Sequence, residues 1–169
     1  SGEEMNYLYN HPKVKAFVSL THGEGYGRPL QEATMTGLPV IASNWSGHLD
    51  FLDSENSILI GGDLQQVPKS MVWKDIIIEQ SEWFVANESQ FSKALSFVFE
   101  EPYQSKNRAK TLMYTNREKF THKKMTELLN EIVDKYVKDS PQQVSLNLPK
   151  LKKVDKKQTS SSDIKLPKL

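Results

Sequence analysis

The chain has 169 residues, of which 25% are charged and none is cysteine. This composition excludes a disulfide framework, a thiolate metal site and a cysteine nucleophile. No apolar run approaches the roughly 18 residues that cross a bilayer, so we expect no transmembrane segment. The length suits one domain with a tail, or a part of a longer protein.

The net charge of +1 averages over two unlike parts of the chain. Residues 1–139 carry 15 basic and 19 acidic side chains, whereas residues 140–169 carry seven lysines and two aspartates. The second part has no aromatic residue, which predicts a disordered, basic, low-complexity tail. Leu-Pro-Lys-Leu occurs there twice, from Leu148 and from Leu166. The tail is therefore either a solvated spacer or a segment that docks on a partner or an anionic surface.

Strand and helix patterns alternate in the amino-terminal part of the chain. Residues 14–20, 39–42 and 57–60 are short apolar runs typical of buried strands. Pro29 stands where a helix between the first two strands begins, and residues 48–52 resemble one or two further helical turns. This order predicts an α/β fold with a Rossmann-like parallel sheet and flanking helices.

The pattern changes after the third strand. Residues 63–84 are irregular, although residues 75–79 have the composition of a short strand. Helices are predicted over residues 87–101, from residue 102 to about residue 112, and over residues 121–137, each with an apolar stripe packed in the core. Three aromatic residues of the irregular region are expected to fill the core or line a cleft: Trp73, Trp83 and Phe84.

The most informative segment is the glycine-rich loop at residues 21–28, between the first strand and its helix. Gly23, Gly25 and Gly27 let the backbone approach a ligand closely. The start of the helix offers free N–H groups and the positive end of the helix dipole. Open α/β sheets bind ligands at the carboxyl ends of their strands, so this loop predicts a phosphate or diphosphate site.

Two carboxylates flank the predicted anion site. Glu24 lies within the loop, and Glu32 lies about one turn into the helix. Because carboxylates repel an anion, we expect them to accept hydrogen bonds from hydroxyls on either side of it. Hydroxyls, phosphates and further hydroxyls together describe a nucleotide sugar. Two alternatives stay open: each Glu is a solvated carboxylate at a helix start, or the pair is the acid and nucleophile of a glycosidase.

Glu24 and Glu32, with the sequence Ala-Thr-Met-Thr-Gly-Leu-Pro-Val-Ile-Ala-Ser after the second, resemble the E-x7-E motif of retaining GT-B glycosyltransferases of group 1 (family 4-like). The resemblance is strong over residues 14–53, looser to about residue 137, and absent from the tail. The sequences His-Gly-Glu-Gly-Tyr-Gly and Trp-Ser-Gly-His resemble those of a viral or phage-type branch of that family.

The resemblance implies that residues 1–139 belong to the C-terminal, donor-binding domain of a two-domain GT-B enzyme, with the rest of the enzyme encoded upstream. It implies transfer of a sugar from a UDP-, GDP- or ADP-sugar to an acceptor hydroxyl, with retention of configuration and without a metal or other cofactor. We expect a cytoplasmic protein of a bacterium or virus-infected cell, no nucleic-acid partner, and no turnover by this chain alone. The alternative is a non-catalytic nucleotide-sugar-binding or interaction module with a basic docking tail.

The same resemblance assigns the site residues. Glu24 is the implied catalytic residue and holds the hydroxyls of the donor sugar, while Glu32 binds the ribose hydroxyls. Arg28 contacts the diphosphate or faces solvent, and His22 faces the donor sugar or ends the strand. His48 lines the cleft or lies outside it. The other implied donor-binding residues occupy the loop, the helix start and the next turn: Gly23, Gly25, Tyr26, Gly27, Leu30, Ser46 and Gly47.

Overall fold

The computed structural model describes residues 1–137. Its first compact unit comprises residues 1–131, and a second unit begins at residue 132. The predicted tail at residues 140–169 lies outside the described residues. No helix in the described part of the chain is both long and apolar enough to span a bilayer.

A three-stranded parallel sheet forms the centre of the first unit. Its strands β1 (Phe17–Ser19), β2 (Val40–Ser43) and β3 (Ile58–Ile60) lie side by side in chain order. The parallel register places Phe17 opposite Val40 and Ile41 opposite Ile58. The α/β class and its three parallel strands are thus confirmed.

Five α-helices occur in the described residues. The second of them links β1 to β2 as a crossover, and a short 3-10 helix, Gly47–Asp50, links β2 to β3. Short crossovers of this kind bring the loops that follow parallel strands to one edge of the sheet. The helices are α1 (Gly2–Asn10), α2 (Arg28–Met35), α3 (Glu88–Glu100), α4 (Pro102–Lys119) and α5 (His122–Tyr136).

Both faces of β2 are buried, which explains its uninterrupted apolar sequence. Val40 and Ala42 belong to an apolar cluster shared with α2 and α4. Ile41 belongs to a second cluster, with Ala94 and Val98 of α3. This alternation follows the two-residue period of a strand, so helices cover the sheet on both sides.

An antiparallel hairpin occupies much of the region predicted to be irregular. Strands β4 (Gly62–Gln66) and β5 (Glu82–Ala86) pair over their full length. The prediction is wrong at residues 63–66 and 82–84, which lie in the two strands, and residues 67–81 between them contain no strand. Every residue of β4 is exposed, so this strand has no apolar alternation in its sequence. Pairing with β5, rather than burial of one face, defines it.

The connection between β4 and β5 also differs from its prediction. Residues 74–76 form a turn closed by a bridge between Trp73 and Ile77, so the strand predicted at residues 75–79 is wrong. Trp73 is 63% exposed and fills no core, whereas Phe84 is buried. Most apolar residues of this connection are exposed, while Val67 is buried; the exposed ones are Met71, Val72, Trp73, Ile76 and Ile78.

Helix α5 begins one residue later than predicted, but it does not pack as predicted. Its stripe residues Met125, Leu128 and Leu129 are all exposed, and the helix has no buried residue. A periodic stripe indicates a helix. It does not show that a surface exists to cover the stripe.

Helix α1 has no counterpart among the elements predicted above. It begins with a capping box in which the Ser1 hydroxyl accepts from the Glu4 amide and the Glu4 side chain accepts from the Ser1 nitrogen. The spacing Ser1-x-x-Glu4 was therefore an available signal. Its one buried residue, Tyr9, joins the cluster under α2.

The amino-terminal cap of α3 gives a direct stability prediction. The Asn87 side chain accepts a hydrogen bond from the Gln90 amide at 3.0 Å. Asn87→Ala removes this cap and is expected to lower the free energy of unfolding by about 1 kcal/mol. Ser89→Ala in the same first turn is the matched control, expected to stay within about 0.5 kcal/mol of the parent in urea unfolding. Equal unfolding midpoints for the two variants would show that the cap contributes nothing.

Candidate functional site

The glycine loop, residues 20–27, runs from the carboxyl end of β1 to the amino end of α2. Gly27 has a φ of 83°, in the left-handed region. A Cβ atom there would lie 3.0 Å from Leu30 Cδ1 and 3.2 Å from His48 Cβ. Conformation and space therefore both favour glycine, and the chain enters α2 within one residue.

A turn at Ser46 and Gly47, which we call the Ser46–Gly47 turn, holds the backbone of Glu24. Ser46 Oγ accepts from the Glu24 amide at 2.9 Å and donates to the Glu24 carbonyl at 2.6 Å. The Gly47 amide donates to the same carbonyl at 3.0 Å. Three hydrogen bonds from the loop after β2 thus fix one residue of the loop after β1.

The backbones of the two loops approach so closely that position 47 requires glycine and Ser46 adopts a strained conformation. A Cβ on Gly47 would lie 2.0 Å from the Gly25 carbonyl oxygen. Ser46 has φ 86° and ψ −169°, a conformation that is essentially restricted to glycine and costs about 1–3 kcal/mol for other residues. The hydrogen bonds to Glu24 offset that strain.

The Glu24 side chain is half-buried and accepts from Thr21 Oγ1 at 3.3 Å. Its backbone is fixed while its carboxylate stays partly accessible at the carboxyl edge of the sheet. Gly23 leaves space beside it, since the nearest atom to a Cβ there would be Ser46 Oγ at 3.8 Å. This part of the loop can therefore admit a ligand group next to the Glu24 carboxylate.

His22 attaches the β4–β5 hairpin to the glycine loop. Its Nδ1 lies 2.6 Å from the Phe84 carbonyl oxygen, and the Phe84 amide donates to the His22 carbonyl at 3.2 Å. The imidazole stacks on Trp83, with ring centroids 4.1 Å apart and planes 6° apart. Trp45 stacks in turn on Phe84 at 5.9 Å. Trp83, which was expected to fill the core or line a cleft, and Trp45 of the Trp-Ser-Gly-His sequence therefore lie next to the glycine loop.

Tyr26 lies on the outer side of the loop. Its hydroxyl accepts a hydrogen bond from Gln31 Nε2, and its ring lies 5.2 Å from that of Phe51. The side chain is 41% exposed. The ring is therefore anchored at both ends yet leaves one part open to a ligand or to solvent.

The start of α2 combines free amides with an ion pair. Gln31 is the first residue to donate an amide hydrogen bond within α2, to Gly27 O, so the amides of Arg28 and Leu30 have no helical acceptor. Arg28 Nε lies 3.0 Å from Glu32 Oε1, and the Arg28 side chain is largely exposed. Such an exposed pair contributes only about 0.5 kcal/mol to stability. Its relevance is to place a cation and a carboxylate together beside the helix start.

Two implied site residues are buried rather than exposed to a cleft. The Leu30 side chain is 1% exposed and packs in the core, which leaves only its amide available to a ligand. His48 is fully buried, with Nε2 2.6 Å from the Ser43 carbonyl and Nδ1 without a hydrogen-bond partner among the described residues. Of the alternatives for His48, the structure shows the one in which it lies outside the cleft.

A cavity of about 520 Å³ lies between α1 and α2, and we call it the α1–α2 cavity. Glu32 and Arg28 line one side of it, and Asn6, Tyr9 and Asn10 line the other. Arg117 of α4 closes one end and donates from Nε to the Met35 carbonyl at 2.8 Å. This cavity gives Glu32 a concave surrounding that the sequence did not indicate.

The structure thus sorts the site residues into two groups around the glycine loop. Glu24, Gly25, Ser46 and Gly47 contact one another directly. Arg28 and Glu32 form the second group, on the α1–α2 cavity. Within residues 1–137, no hydrogen bond or ion pair joins the two carboxylates, so each is held by its own partners.

Comparison with models of known protein families gave no match for this chain. Comparison with curated proteins also found none that matches. Function is therefore inferred from the geometry of the glycine loop and from the residues that it presents.

Proposed function

We propose that this chain supplies the donor-binding part of a retaining GT-B glycosyltransferase of the group 1 type. The observation that carries the proposal is the Ser46–Gly47 turn, which locks Glu24 and Gly25 beside the free amino end of α2. Along the chain, the Glu24 carboxylate comes first, the anion-binding start of α2 follows, and the Glu32 carboxylate lies one turn into the helix. This order matches the hydroxyl, diphosphate and hydroxyl order of a nucleotide sugar.

The diphosphate would bind at the start of α2. The amides of Arg28 and Leu30 precede the first helical hydrogen bond and can donate hydrogen bonds to an anion. The guanidinium of Arg28 is exposed, so it can turn from Glu32 to a phosphate at little cost. These donors would stabilise the charge that develops on the departing diphosphate.

The two carboxylates would hold the ends of the donor. Glu24 would accept hydrogen bonds from the sugar hydroxyls and so orient the anomeric carbon. Glu32 would accept from the ribose hydroxyls at the α1–α2 cavity. In this proposal the protein positions the donor and stabilises charge, and the acceptor hydroxyl attacks with retention. The residues that bind the acceptor and complete the cleft would lie outside the described residues.

The proposal is tested by replacing each carboxylate in the full-length protein. Glu24→Gln and Glu32→Gln keep the shape of the side chain and remove its charge. Each loses charge-assisted hydrogen bonds, which are worth about 1.5–3 kcal/mol. We therefore expect donor affinity to fall roughly 10- to 100-fold, as measured by calorimetry with UDP-, GDP- and ADP-sugars.

Glu88→Gln is the matched control, since Glu88 is an exposed carboxylate in the first turn of α3, away from the glycine loop. It should leave donor affinity and sugar transfer unchanged. If both Glu24→Gln and Glu32→Gln behave like this control, the site assignment is wrong. Donor binding without transfer to any acceptor would instead favour a non-catalytic nucleotide-sugar-binding module.

A further inference from the structure

Tyr9 is a buried residue on the wall of the α1–α2 cavity. It is 5% exposed, and its hydroxyl makes no hydrogen bond within residues 1–137. A buried hydroxyl without a partner costs about 1–3 kcal/mol. Native proteins keep few such groups, so this hydroxyl requires an explanation. Phenylalanine would fill the same space without that cost.

The Tyr9 ring is fixed, so its hydroxyl cannot swing out to solvent. The ring packs edge-to-face on Phe17 of β1, with centroids 6.0 Å apart and an interplanar angle of 64°. It also belongs to the apolar cluster that contains Leu30 and Ala33 of α2. The hydroxyl is thus held at the cavity by packing on both sides.

The carboxylate of Glu32 lines the same cavity and acts on this hydroxyl. Burial is the largest cause that raises the pKa of Tyr9. The negative charge of Glu32 and a hydrogen-bonding interaction with its carboxylate raise this pKa further, while Arg28 opposes the effect. The hydroxyl therefore stays protonated at neutral pH and remains a donor. The Glu32 carboxylate therefore influences the hydroxyl by charge and by a weak hydrogen-bonding interaction, but no contact of the hydroxyl within residues 1–137 meets hydrogen-bond geometry.

The Glu32 carboxylate has capacity for another donor. Arg28 Nε engages Oε1 at 3.0 Å, and an ionised carboxylate offers about four acceptor positions. A donor on the cavity side would fix the carboxylate from a second direction. Among the residues that line the cavity, Tyr9 carries the buried hydroxyl without a partner.

Resting on the proposed function, we propose that Tyr9 is a positioning residue for the nucleoside end of the donor. Its hydroxyl donates to the Glu32 carboxylate when that carboxylate accepts the ribose hydroxyls. Arg28 and Tyr9 then hold Glu32 from two sides and aim it into the cavity. The energetic cost of the unpartnered hydroxyl in the free protein is recovered when the nucleoside binds.

The test compares Tyr9→Phe with the parent in the full-length protein, using UDP, GDP and ADP and their 2′,3′-dideoxy forms. Tyr9→Phe should keep or raise the melting temperature of the free protein, because it removes an unpartnered buried hydroxyl. It should weaken binding of the preferred ribonucleoside diphosphate roughly three- to tenfold. It should not change the affinity for the dideoxy form, which has no ribose hydroxyls for Glu32 to hold.

Tyr7→Phe on the same helix is the control, because Tyr7 is 70% exposed, and it should change neither quantity. The inference is overturned if Tyr9→Phe binds the ribonucleoside diphosphate like the parent. It is also overturned if the variant loses affinity equally for both forms, as a purely structural role would require. Failure of the parent to bind any of the three nucleotides would instead reject the proposed function.

Discussion

Gly47→Ala is expected to disrupt the glycine loop more than any other single-methyl change in the Ser46–Gly47 turn. The new Cβ would lie 2.0 Å from Gly25 O and 3.0 Å from Glu24 O, and both are backbone atoms that cannot move aside alone. The loop must shift by about 1 Å or more, a displacement that can cost about 100-fold at a reacting centre. We expect sugar transfer to fall by about that factor and donor affinity to fall with it, together with a loss of about 3 kcal/mol in unfolding free energy.

Gly25→Ala is the matched control for the loss of unfolding free energy, because a Cβ on Gly25 would meet no atom within 4 Å. Urea unfolding should therefore separate the two variants clearly. Calorimetric titration with the preferred nucleotide sugar compares Gly47→Ala with the parent. Equal donor affinities for Gly47→Ala and the parent would mean that the Ser46–Gly47 turn does not shape the donor site.

Asn116→Ala is expected to give the largest loss of stability from a single polar side chain in α4. Asn116 is 2% exposed, and its Nδ2 donates to Thr34 Oγ1 at 2.9 Å and to the Phe51 carbonyl at 3.1 Å. The amide thus ties α4 to α2 and to the turn after the 3-10 helix. Its removal leaves the Phe51 carbonyl buried without this donor and opens a small cavity, which costs about 2–3 kcal/mol.

Asn107→Ala, on the exposed side of the same helix, is the control and should be neutral or slightly stabilising, because alanine favours helix. Urea unfolding of both variants measures the difference. If Asn116→Ala unfolds at the same midpoint as Asn107→Ala, the two hydrogen bonds contribute no net stability. The contact of Asn116 with α2, the helix that carries Glu32, would then not stabilise the fold.

The sequence predicted best where a local rule determines the structure. Apolar runs located β1, β2 and β3, and Pro29 marked the first turn of α2. The hairpin of β4 and β5 was missed because its polar strand is defined by cross-strand pairing, which no local pattern records. The stripe of α5 was assigned to a core because periodicity cannot show whether a partner surface is present.

The candidate site was predictable to the same extent. The spacing of Glu24 and Glu32 in the motif pointed to two carboxylates around an anion site, and the loop between them starts α2 as expected. Burial of His48 and the attachment of His22 to the hairpin depend on segments distant in sequence. Tyr9 lies in α1, a helix that was not predicted from the sequence. Its place on the same cavity as Glu32 is therefore known only from the packing of α1 in the structure.

The central claim is that the glycine loop and the Ser46–Gly47 turn form a nucleotide-sugar site. The most direct test is a calorimetric titration of the full-length protein with UDP-, GDP- and ADP-sugars, without any variant. We predict saturable binding of at least one of these donors at one site per chain. Absence of binding by all three donors to a folded protein would contradict the claim.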